Sequence, residues 1–365
     1  MVSMFFLWVG LVMFIVFTVG GNVLVCLAVI TSRRLRHISS CFLVALAVTD
    51  LLLGLFVLPF SATLELRAGR WPLGGAACNI YLSVDVTLST ASIFTLLAIS
   101  VDRYMAISSP LSYTTRLTPA RATAAIVAIW ILALTFAFTP IHMGWNTADF
   151  HVQNYDWRMG DKGEEGQTCR YEWNNNYVLL AVSCIFFFPL LVMCWMYHRI
   201  FCMAREQVRR IRAATPSFTR SSACLKGATL RQHKATVTLA TVLGVFIVCW
   251  LPFFTFFTCM GLRHEREPPQ LTHSIVLWLG YFNSALNPIL YPALNRDFRH
   301  AYWHLLHCRN PYKINSISIR TLGKNRSIIS HEFESINKCS KIPLKMHHNQ
   351  QDINAESAAG PNHTS

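Results

Sequence analysis

Two aspartates lie inside long apolar stretches of the sequence, at Asp50 and Asp85. A carboxylate at the centre of a bilayer costs about 2.5–3.5 kcal/mol, so each is expected to have a specific partner. Asp85 follows Cys78 by seven residues, which is about 10 Å along a helix. A ligand ammonium group would pair with the Asp85 carboxylate through a charge-assisted hydrogen bond. The alternative is a structural ion pair with another helix, although the apolar stretches place no Lys or Arg at matching depth.

The second aspartate predicts a different kind of site. Asp50 lies about ten residues from the end of its apolar stretch, or about 15 Å along a helix, close to the bilayer midplane. Ser92, Asn283, Ser284 and Asn287 supply oxygens at similar depth. Carboxylate, hydroxyl and amide oxygens suit a small hard cation, so we predict an allosteric sodium ion here and no other cofactor or metal. A hydrogen-bonded polar network without an ion is the alternative.

Seven apolar stretches must position these side chains. The chain has 365 residues, of which 53% are hydrophobic and 14% charged, whereas soluble domains carry about 25% charged residues. Each stretch is long enough to cross a hydrocarbon core of about 30 Å as a helix. A helix is expected there because it forms all of its backbone hydrogen bonds within the segment. The stretches are Phe5–Ile30, Cys41–Leu64, Cys78–Ile107, Ala122–Met143, Tyr177–Cys202, Thr236–Met260 and Leu271–Tyr291. The predicted fold is an all-α membrane protein, a seven-transmembrane helix bundle over residues 5–292.

Loop charge predicts the orientation of this bundle. The formal net charge is +14, and the basic residues lie mainly in the first loop and between the fifth and sixth stretches. The loop after the fourth stretch is mostly acidic. Because cytoplasmic loops carry the Lys and Arg excess, we expect an extracellular terminus at residues 1–4 and a cytoplasmic carboxyl terminus in a plasma-membrane protein. Basic cytoplasmic loops therefore explain much of the net positive charge, and nucleic-acid binding is not needed to explain it.

The segment after the seventh stretch predicts a short interfacial eighth helix at residues 295–308, because basic and aromatic residues alternate there at helical spacing. Cys308 is a candidate for palmitoylation, with an ordinary thiol as the alternative. The polar tail, residues 309–365, is expected to be disordered. Of the twelve cysteines, Cys78 and Cys169 fall in the predicted extracellular region away from the membrane core. We therefore predict a disulfide between them.

Short motifs in these stretches resemble the rhodopsin class of G-protein-coupled receptors. They are Asn22, Asp50 in LAVTDLL, Asp102-Arg103-Tyr104, Trp130, Cys249-Trp250-Leu251-Pro252 and Asn287-Pro288-Ile289-Leu290-Tyr291. Asp85 with Trp278, Gly280 and Tyr281 resembles the amine-receptor branch. Within that branch the type-2 histamine receptors are most similar, through RRLR, DLLLGLFVLPFSA, IHMGWN, HKATVTLA, IVLWLGYFNSALNPILY and ALNRDFR.

The resemblance implies roles for individual residues. Ligand-binding residues would be Asp85, Val86, Ser89, Thr90, Ala181, Val182, Ile185, Trp250, Phe253, Phe254, Phe257, Trp278 and Tyr281. Activation switches would be Ile93, Asp102, Arg103, Tyr104, Pro189, Tyr197, Phe246, Pro288 and Tyr291. Leu111 and Tyr113 would meet the stimulatory G protein, with cyclic AMP as the output. A receptor kinase and arrestin would act at the serine-rich tail.

Three positions depart from the pattern. The resemblance places an acid and a hydroxyl residue on the fifth helix, where this chain has Ala181 and Ile185. A buried imidazole would lose about 1–3 kcal/mol for each missing hydrogen bond, which favours a less polar, trace-amine-like ligand over histamine. Gln232 stands where the family often has an acid facing Arg103, which predicts raised basal signalling.

Other classes of protein remain as alternatives to an amine receptor. One is a receptor-like orphan whose activity is mainly constitutive. A transporter or proton pump could use Asp50 and Asp85 as a proton relay, but it would need repeated halves or matching broken helices, and the sequence has neither. The sequence has no enzyme motif of the hydrolase, zinc-protease, nucleotide-binding or dinucleotide-binding types, so we expect no enzymatic activity.

Overall fold

A computed structural model of the chain describes residues 2–67, 69–147, 152, 155–159, 165–169, 174–213, 220–263 and 269–307. The helices of this part are α1 (Val2–Thr31), α2 (Ser40–Phe56), α3 (Leu58–Leu66), α4 (Gly74–Ser108), α5 (Pro110–Arg116), α6 (Pro119–His142), α7 (Asn175–Val182), α8 (Phe188–Ala213), α9 (Arg220–Arg263), α10 (Gln270–Leu294) and α11 (Arg296–Leu306). Strands β1 (Tyr155–Met159) and β2 (Glu165–Cys169) pair as an antiparallel hairpin. The helices belong to a compact unit of residues 1–216 and 226–311; residues 220–225 of α9 fall in a second unit, 217–225 with 312–365.

Six helical segments in the described part are long and apolar enough to cross a membrane. They are Met4–Thr31, Ser40–Leu66, Gly74–Ser108, Pro119–His142, Asn175–Glu206 and Ala240–Arg263. The seventh predicted span, α10, is 25 residues long but more polar. Its Asn283, Ser284 and Asn287 are buried, because α10 packs against α1 and α2. The polarity of α10 therefore lies inside the bundle.

The bundle exposes large apolar side chains on its outer surface and buries several polar side chains within a largely apolar interior. Leu191 on α8 is 69% exposed and Val248 on α9 is 68% exposed, whereas Asn22 and Asp50 are fully buried. A soluble protein places its polar groups in water, because burying them without partners is costly. The reversed arrangement suits a bundle surrounded by hydrocarbon.

Two irregularities shape the helices around the interior. The predicted span Cys41–Leu64 lies within the membrane-capable segment Ser40–Leu66, but the helix is interrupted at Val57, because α2 ends at Phe56 and α3 begins at Leu58. Pro59 explains the break, since it lacks a backbone N–H and crowds the preceding turn. The fifth predicted span contains a π-helical turn at Ser183–Phe187 between α7 and α8. Pro189 follows that turn directly and again removes a helix hydrogen bond.

The central helix α4 defines the two ends of the bundle. Cys78 near its start forms a disulfide with Cys169, the last residue of β2, as predicted. The hairpin is therefore held against α4, and Arg70 forms an isolated antiparallel bridge with Thr168. We call the end of the bundle that contains Cys78 the disulfide end. The opposite end, which contains Arg103 near the last residues of α4, is called the Arg103 end.

The last helix, α11, begins beside α10 at the Arg103 end. The Asn295 side-chain oxygen accepts a hydrogen bond from the Asp297 backbone N–H at 2.9 Å, so Asn295 caps the helix. Phe298 stacks on Tyr291 with ring centroids 5.4 Å apart. Phe298, Ala301 and Tyr302 form its buried face. Cys308 lies outside the described residues, and a membrane-surface position for α11 stays a prediction.

Candidate ligand-binding site

A cavity of about 240 Å³ lies among the helices at the disulfide end. The residues on its wall are Ser61, Leu64, Glu65, Gly69, Tyr81, Leu82, Asp85, Val86, Cys169, Tyr177, Val178, Ala181, Val182, Ile185, Phe253, Phe254, Gln270, His273, Ser274, Leu277 and Trp278. These come from α3, α4, α7, α9 and α10, with the π turn and β2. The disulfide residue Cys169 contributes to the wall, so the hairpin bounds the cavity.

Asp85 presents a carboxylate to this cavity. Its Oδ2 accepts a hydrogen bond from the Tyr281 hydroxyl at 3.0 Å. Its Oδ1 is buried and has no hydrogen-bond partner among the described residues. A buried carboxylate oxygen without a donor is costly, and a cationic donor would satisfy it.

A chain of hydroxyl groups supports Asp85 from α3 and α10. The Tyr281 hydroxyl that donates to Asp85 also lies 3.3 Å from Ser61 Oγ. Ser61 Oγ is 2.8 Å from the Tyr81 hydroxyl. Ser61 and Tyr81 were missed in the sequence, since their partners lie on other helices. This network holds the Oδ2 side of the carboxylate, and Ser61 and Tyr81 also lie on the cavity wall.

The opposite wall is apolar and aromatic. Ala181, Val182 and Ile185 all line the cavity, so the predicted apolar face of the fifth span is where the sequence placed it. Phe253 and Phe254 line it too, and Phe254 stacks on Phe186 with centroids 4.1 Å apart. This wall presents neither an acid nor a hydroxyl from those three positions.

Five predicted ligand-binding residues do not line the cavity, namely Ser89, Thr90, Trp250, Phe257 and Tyr281. Ser89 lies one turn beyond Asp85, and Thr90 is rotated about 140° from it around α4. Tyr281 stands behind Asp85, and Phe257 is buried behind Phe253 with centroids 4.6 Å apart.

Trp250 lies beneath the aromatic wall and close to α10. Its ring centroid is 5.7 Å from those of both Phe253 and Phe254. A Cβ added at Gly280 would lie 2.9 Å from the indole, so only glycine allows this approach. The indole nitrogen is buried without a hydrogen-bond partner in the described region.

The cavity also has a polar wall that the sequence analysis did not predict. It consists of Ser61 and Glu65 from α3 with Gln270, His273 and Ser274 from α10. Ser274 Oγ donates a hydrogen bond to Glu65 Oε2 at 2.9 Å. A lone acid near a helix end is ordinary in sequence, so only the tertiary arrangement reveals its position.

Three of the predicted sodium-site residues, Ser92, Ser284 and Asn287, lie beside Asp50. Asn287 Nδ2 donates to Asp50 Oδ2 at 2.8 Å, and Ser92 and Ser284 lie beside the same carboxylate. Asp50 Oδ1 and Ser92 Oγ have no hydrogen-bond partner within the described chain. Asn283 is buried one turn before Asn287. Orphaned buried oxygens on a carboxylate and a hydroxyl fit a small hard cation.

At the Arg103 end, Asp102 holds three partners. Arg103 Nε donates to Asp102 Oδ2 at 2.8 Å, and the Tyr113 hydroxyl donates to Oδ1 at 2.7 Å. Ser39 Oγ donates to Asp102 Oδ1 at 3.4 Å and also contacts Arg103 and Tyr113. Burial and the hydrogen bond to Asp102 raise the pKa of Tyr113, so the phenol stays protonated and remains a donor.

The other predicted switch residues lie in the packed interior of the bundle. Ile93 and Phe246 are fully buried. Pro189 is buried after the π turn, and Pro288 packs on Gly21. Tyr104 contacts Trp195 with centroids 5.8 Å apart.

Tyr197 and Tyr291 border one void of about 10 Å³. The Tyr291 hydroxyl has no hydrogen-bond partner in the described part. The Leu111 and Gln232 side chains lie outside what the structure describes.

Comparison of the sequence with known proteins shows which family the chain resembles. The sequence profile described as 7 transmembrane receptor (rhodopsin family) matches residues 21–291. The histamine H2 receptor of Rattus norvegicus is 49% identical over 296 residues, covering 81% of this chain and 77% of that receptor. That of Homo sapiens is 48% identical over 302 residues, covering 82% and 79%. The D(1A) dopamine receptor of Didelphis virginiana is 34% identical over 355 residues, covering 89% and 78%.

Proposed function

This chain belongs to the rhodopsin family of 7-transmembrane receptors, and from that premise we propose that it is a receptor for a cationic amine that acts through a heterotrimeric G protein. It is a receptor and not an enzyme. The observation that carries the proposal is the Asp85 carboxylate, which is buried in the cavity with Oδ1 unpartnered among the described residues. The names of the similar proteins, histamine and dopamine receptors, support an amine as the ligand.

The apolar character of the cavity wall opposite Asp85 favours one type of amine. Ala181, Val182 and Ile185 give the fifth-span side of the cavity an apolar surface. An imidazole ring buried there would lose hydrogen bonds to water without replacing them, at about 1–3 kcal/mol each. We therefore propose an amine whose body on this side is less polar than histamine. Histamine itself is the second candidate, favoured by the sequence identity to histamine H2 receptors.

Further parts of the proposal concern signalling and orientation. The disulfide end would be extracellular and the Arg103 end cytoplasmic, in line with the basic loops. The G protein would be the stimulatory type, with cyclic AMP as the output, and it would dock near Arg103, Leu111 and Tyr113. Sodium at Asp50 would stabilise one state of the bundle. Kinase and arrestin would act at the tail, and Cys308 would be palmitoylated.

A cyclic AMP assay on a panel of biogenic amines tests the proposal. In cells that express the full chain, at least one amine should raise cyclic AMP, and phenylethylamine-type amines should act at lower concentration than histamine. Asp85→Asn should reduce the potency of that amine at least a hundredfold, because the neutral side chain cannot pair with an ammonium group.

The matched control is Asp297→Asn, which removes one carboxylate from α11 and should leave amine potency unchanged. An epitope tag should show equal surface amounts of wild type, Asp85→Asn and Asp297→Asn. An undiminished response of Asp85→Asn at equal surface expression would contradict the proposed anchoring role. A histamine response with no response to less polar amines would contradict the inference from the apolar wall.

A further inference from the structure

The polar wall of the cavity carries a second carboxylate, that of Glu65. Glu65 lines the same cavity as Asp85, and its side chain accepts a hydrogen bond from Ser274 Oγ at 2.9 Å. None of the described residues that line the cavity is a Lys or Arg. Two carboxylates thus face one cavity that has no Lys or Arg among its described lining residues.

Each of the two carboxylates accepts a hydrogen bond from α10, and the two donors lie at different levels of that helix. Ser274 donates to Glu65, and Tyr281 donates to Asp85. Ser274 and Tyr281 are seven residues apart on that helix, which corresponds to about 10 Å along its axis. Ser61, which contacts Tyr281, lies one turn before Glu65 on α3. The two acids therefore mark two levels of the same wall.

The surface between these levels is apolar. Leu277 and Trp278 lie between Ser274 and Tyr281 on α10, and both line the cavity. Trp278 is braced by Phe14 and Tyr281 through edge-to-face contacts, with centroids 5.8 Å and 5.6 Å apart. An indole ring and a leucine side chain favour a hydrocarbon segment over a polar one. Acid, apolar surface and acid therefore follow one another along this wall.

We propose that Glu65 forms a second cation subsite, and that the receptor binds amines carrying two cationic groups joined by a hydrocarbon segment. This rests on the proposed function, because Asp85 holds the first ammonium. The second ammonium or guanidinium donates to Glu65 beside Ser274, and the connecting carbons cover Leu277 and Trp278. The polar end of the ligand thus points toward α3 and α10, and the apolar residues of α7 and the π turn face its hydrocarbon side.

Binding of simple alkyl amines to the full chain in lipid nanodiscs tests the inference. The probes are the α,ω-diamines from butane-1,4-diamine to decane-1,10-diamine, each paired with the n-alkylamine of equal length. One or two diamines of intermediate length should bind about tenfold to a hundredfold more tightly than their monoamine partners, the effect of one added charge-assisted hydrogen bond. Shorter diamines should show no such preference, because they cannot reach both carboxylates.

Three variants separate the subsite from the rest of the cavity. Glu65→Gln should abolish the preference for diamines while leaving monoamine affinity unchanged. Glu65→Asp keeps the charge and should retain the preference. Asp85→Asn should weaken both kinds of amine.

The outcomes distinguish the two proposals. Equal affinity of diamines and monoamines in the wild type overturns the subsite alone if monoamine binding still depends on Asp85. A diamine preference that survives Glu65→Gln also overturns it. Failure of every amine to bind overturns both the subsite and the proposed function.

Discussion

A carboxylate in an apolar interior is tolerated when both of its oxygens accept hydrogen bonds. In Asp85 only one of the two oxygens has a donor among the described residues. Tyr281 satisfies Oδ2, while Oδ1 has no partner among the described residues. The tyrosine therefore orients the acid, and we expect the other oxygen to accept a hydrogen bond from the ligand. The same division holds at Asp50, where Asn287 satisfies one oxygen.

The role of Tyr281 leads to a prediction about one hydroxyl group. Tyr281→Phe keeps the ring, which is fully buried, and removes the bond that orients Asp85. Amine affinity should fall about tenfold, since hydrogen bonds to charged groups contribute roughly 1.5–3 kcal/mol and part of this is recovered by water. Radioligand binding or calorimetry on the purified chain measures it.

Tyr81→Phe is the matched control, because the Tyr81 hydroxyl contacts Ser61 rather than the carboxylate. Its effect on amine affinity should be below threefold. Equal losses from the two variants would show that Tyr281 acts through the hydroxyl network as a whole rather than through its bond to Asp85.

The sequence identified Asp85 and, through the family resemblance, Tyr281, but not Ser61, Tyr81 or Glu65, and the reason is physical. An acid inside a long apolar stretch is unusual enough to be recognised without neighbours. Ser61, Tyr81 and Glu65 are ordinary residues for a helix near a membrane surface, and their significance depends on which helices they face. Conversely, Ser89 and Thr90 shared the helix of Asp85 but turned out not to line the cavity.

At the scale of elements, hydropathy located all the long helices and missed their irregularities. The length of an apolar run is a strong signal because the bilayer fixes it. The break at Val57 and the π turn at Ser183–Phe187 depend on how single turns adjust near Pro59 and Pro189. The hairpin of β1 and β2 lies in a polar loop, where periodicity gives little information.

The hairpin gives a prediction at this scale. Replacing both Cys78 and Cys169 by alanine frees β2 from α4, to which the disulfide ties it across a sequence separation of 91 residues. The chain-entropy account gives a loss of about 4.6 kcal/mol for a loop of this length. The thermal midpoint of the purified protein should fall by several degrees, and bound amine should dissociate faster because the cavity wall loses Cys169.

Cys194→Ala is the control, because that thiol is free and exposed on α8. It should leave both the thermal midpoint and the dissociation rate unchanged. A double alanine variant with the wild-type midpoint would mean that the hairpin is held by its other contacts, such as the bridge between Arg70 and Thr168.

On the scale of the whole molecule, the proposed function assigns ligand binding to the disulfide end of α4 and G-protein contact to its Arg103 end. At the Arg103 end, the described partners of Arg103 are Asp102 on the same helix and Ser39 beside α2. The family resemblance places an acid on the sixth helix facing this arginine, where this chain has Gln232. Without that charge, we expect α9 to be held less firmly against α4.

Basal signalling should therefore be raised, and Gln232→Glu should lower it. An added ion pair at a partly exposed site contributes about 1 kcal/mol, enough to reduce the active fraction severalfold where that fraction is small. Cyclic AMP measured without ligand, at equal surface expression, reports the change.

Gln207→Glu adds the same charge to α8 and serves as the control, with unchanged basal output expected. Equal basal cyclic AMP in wild type and Gln232→Glu would refute the role of position 232, whereas a fall in both variants would assign the effect to charge at the Arg103 end in general.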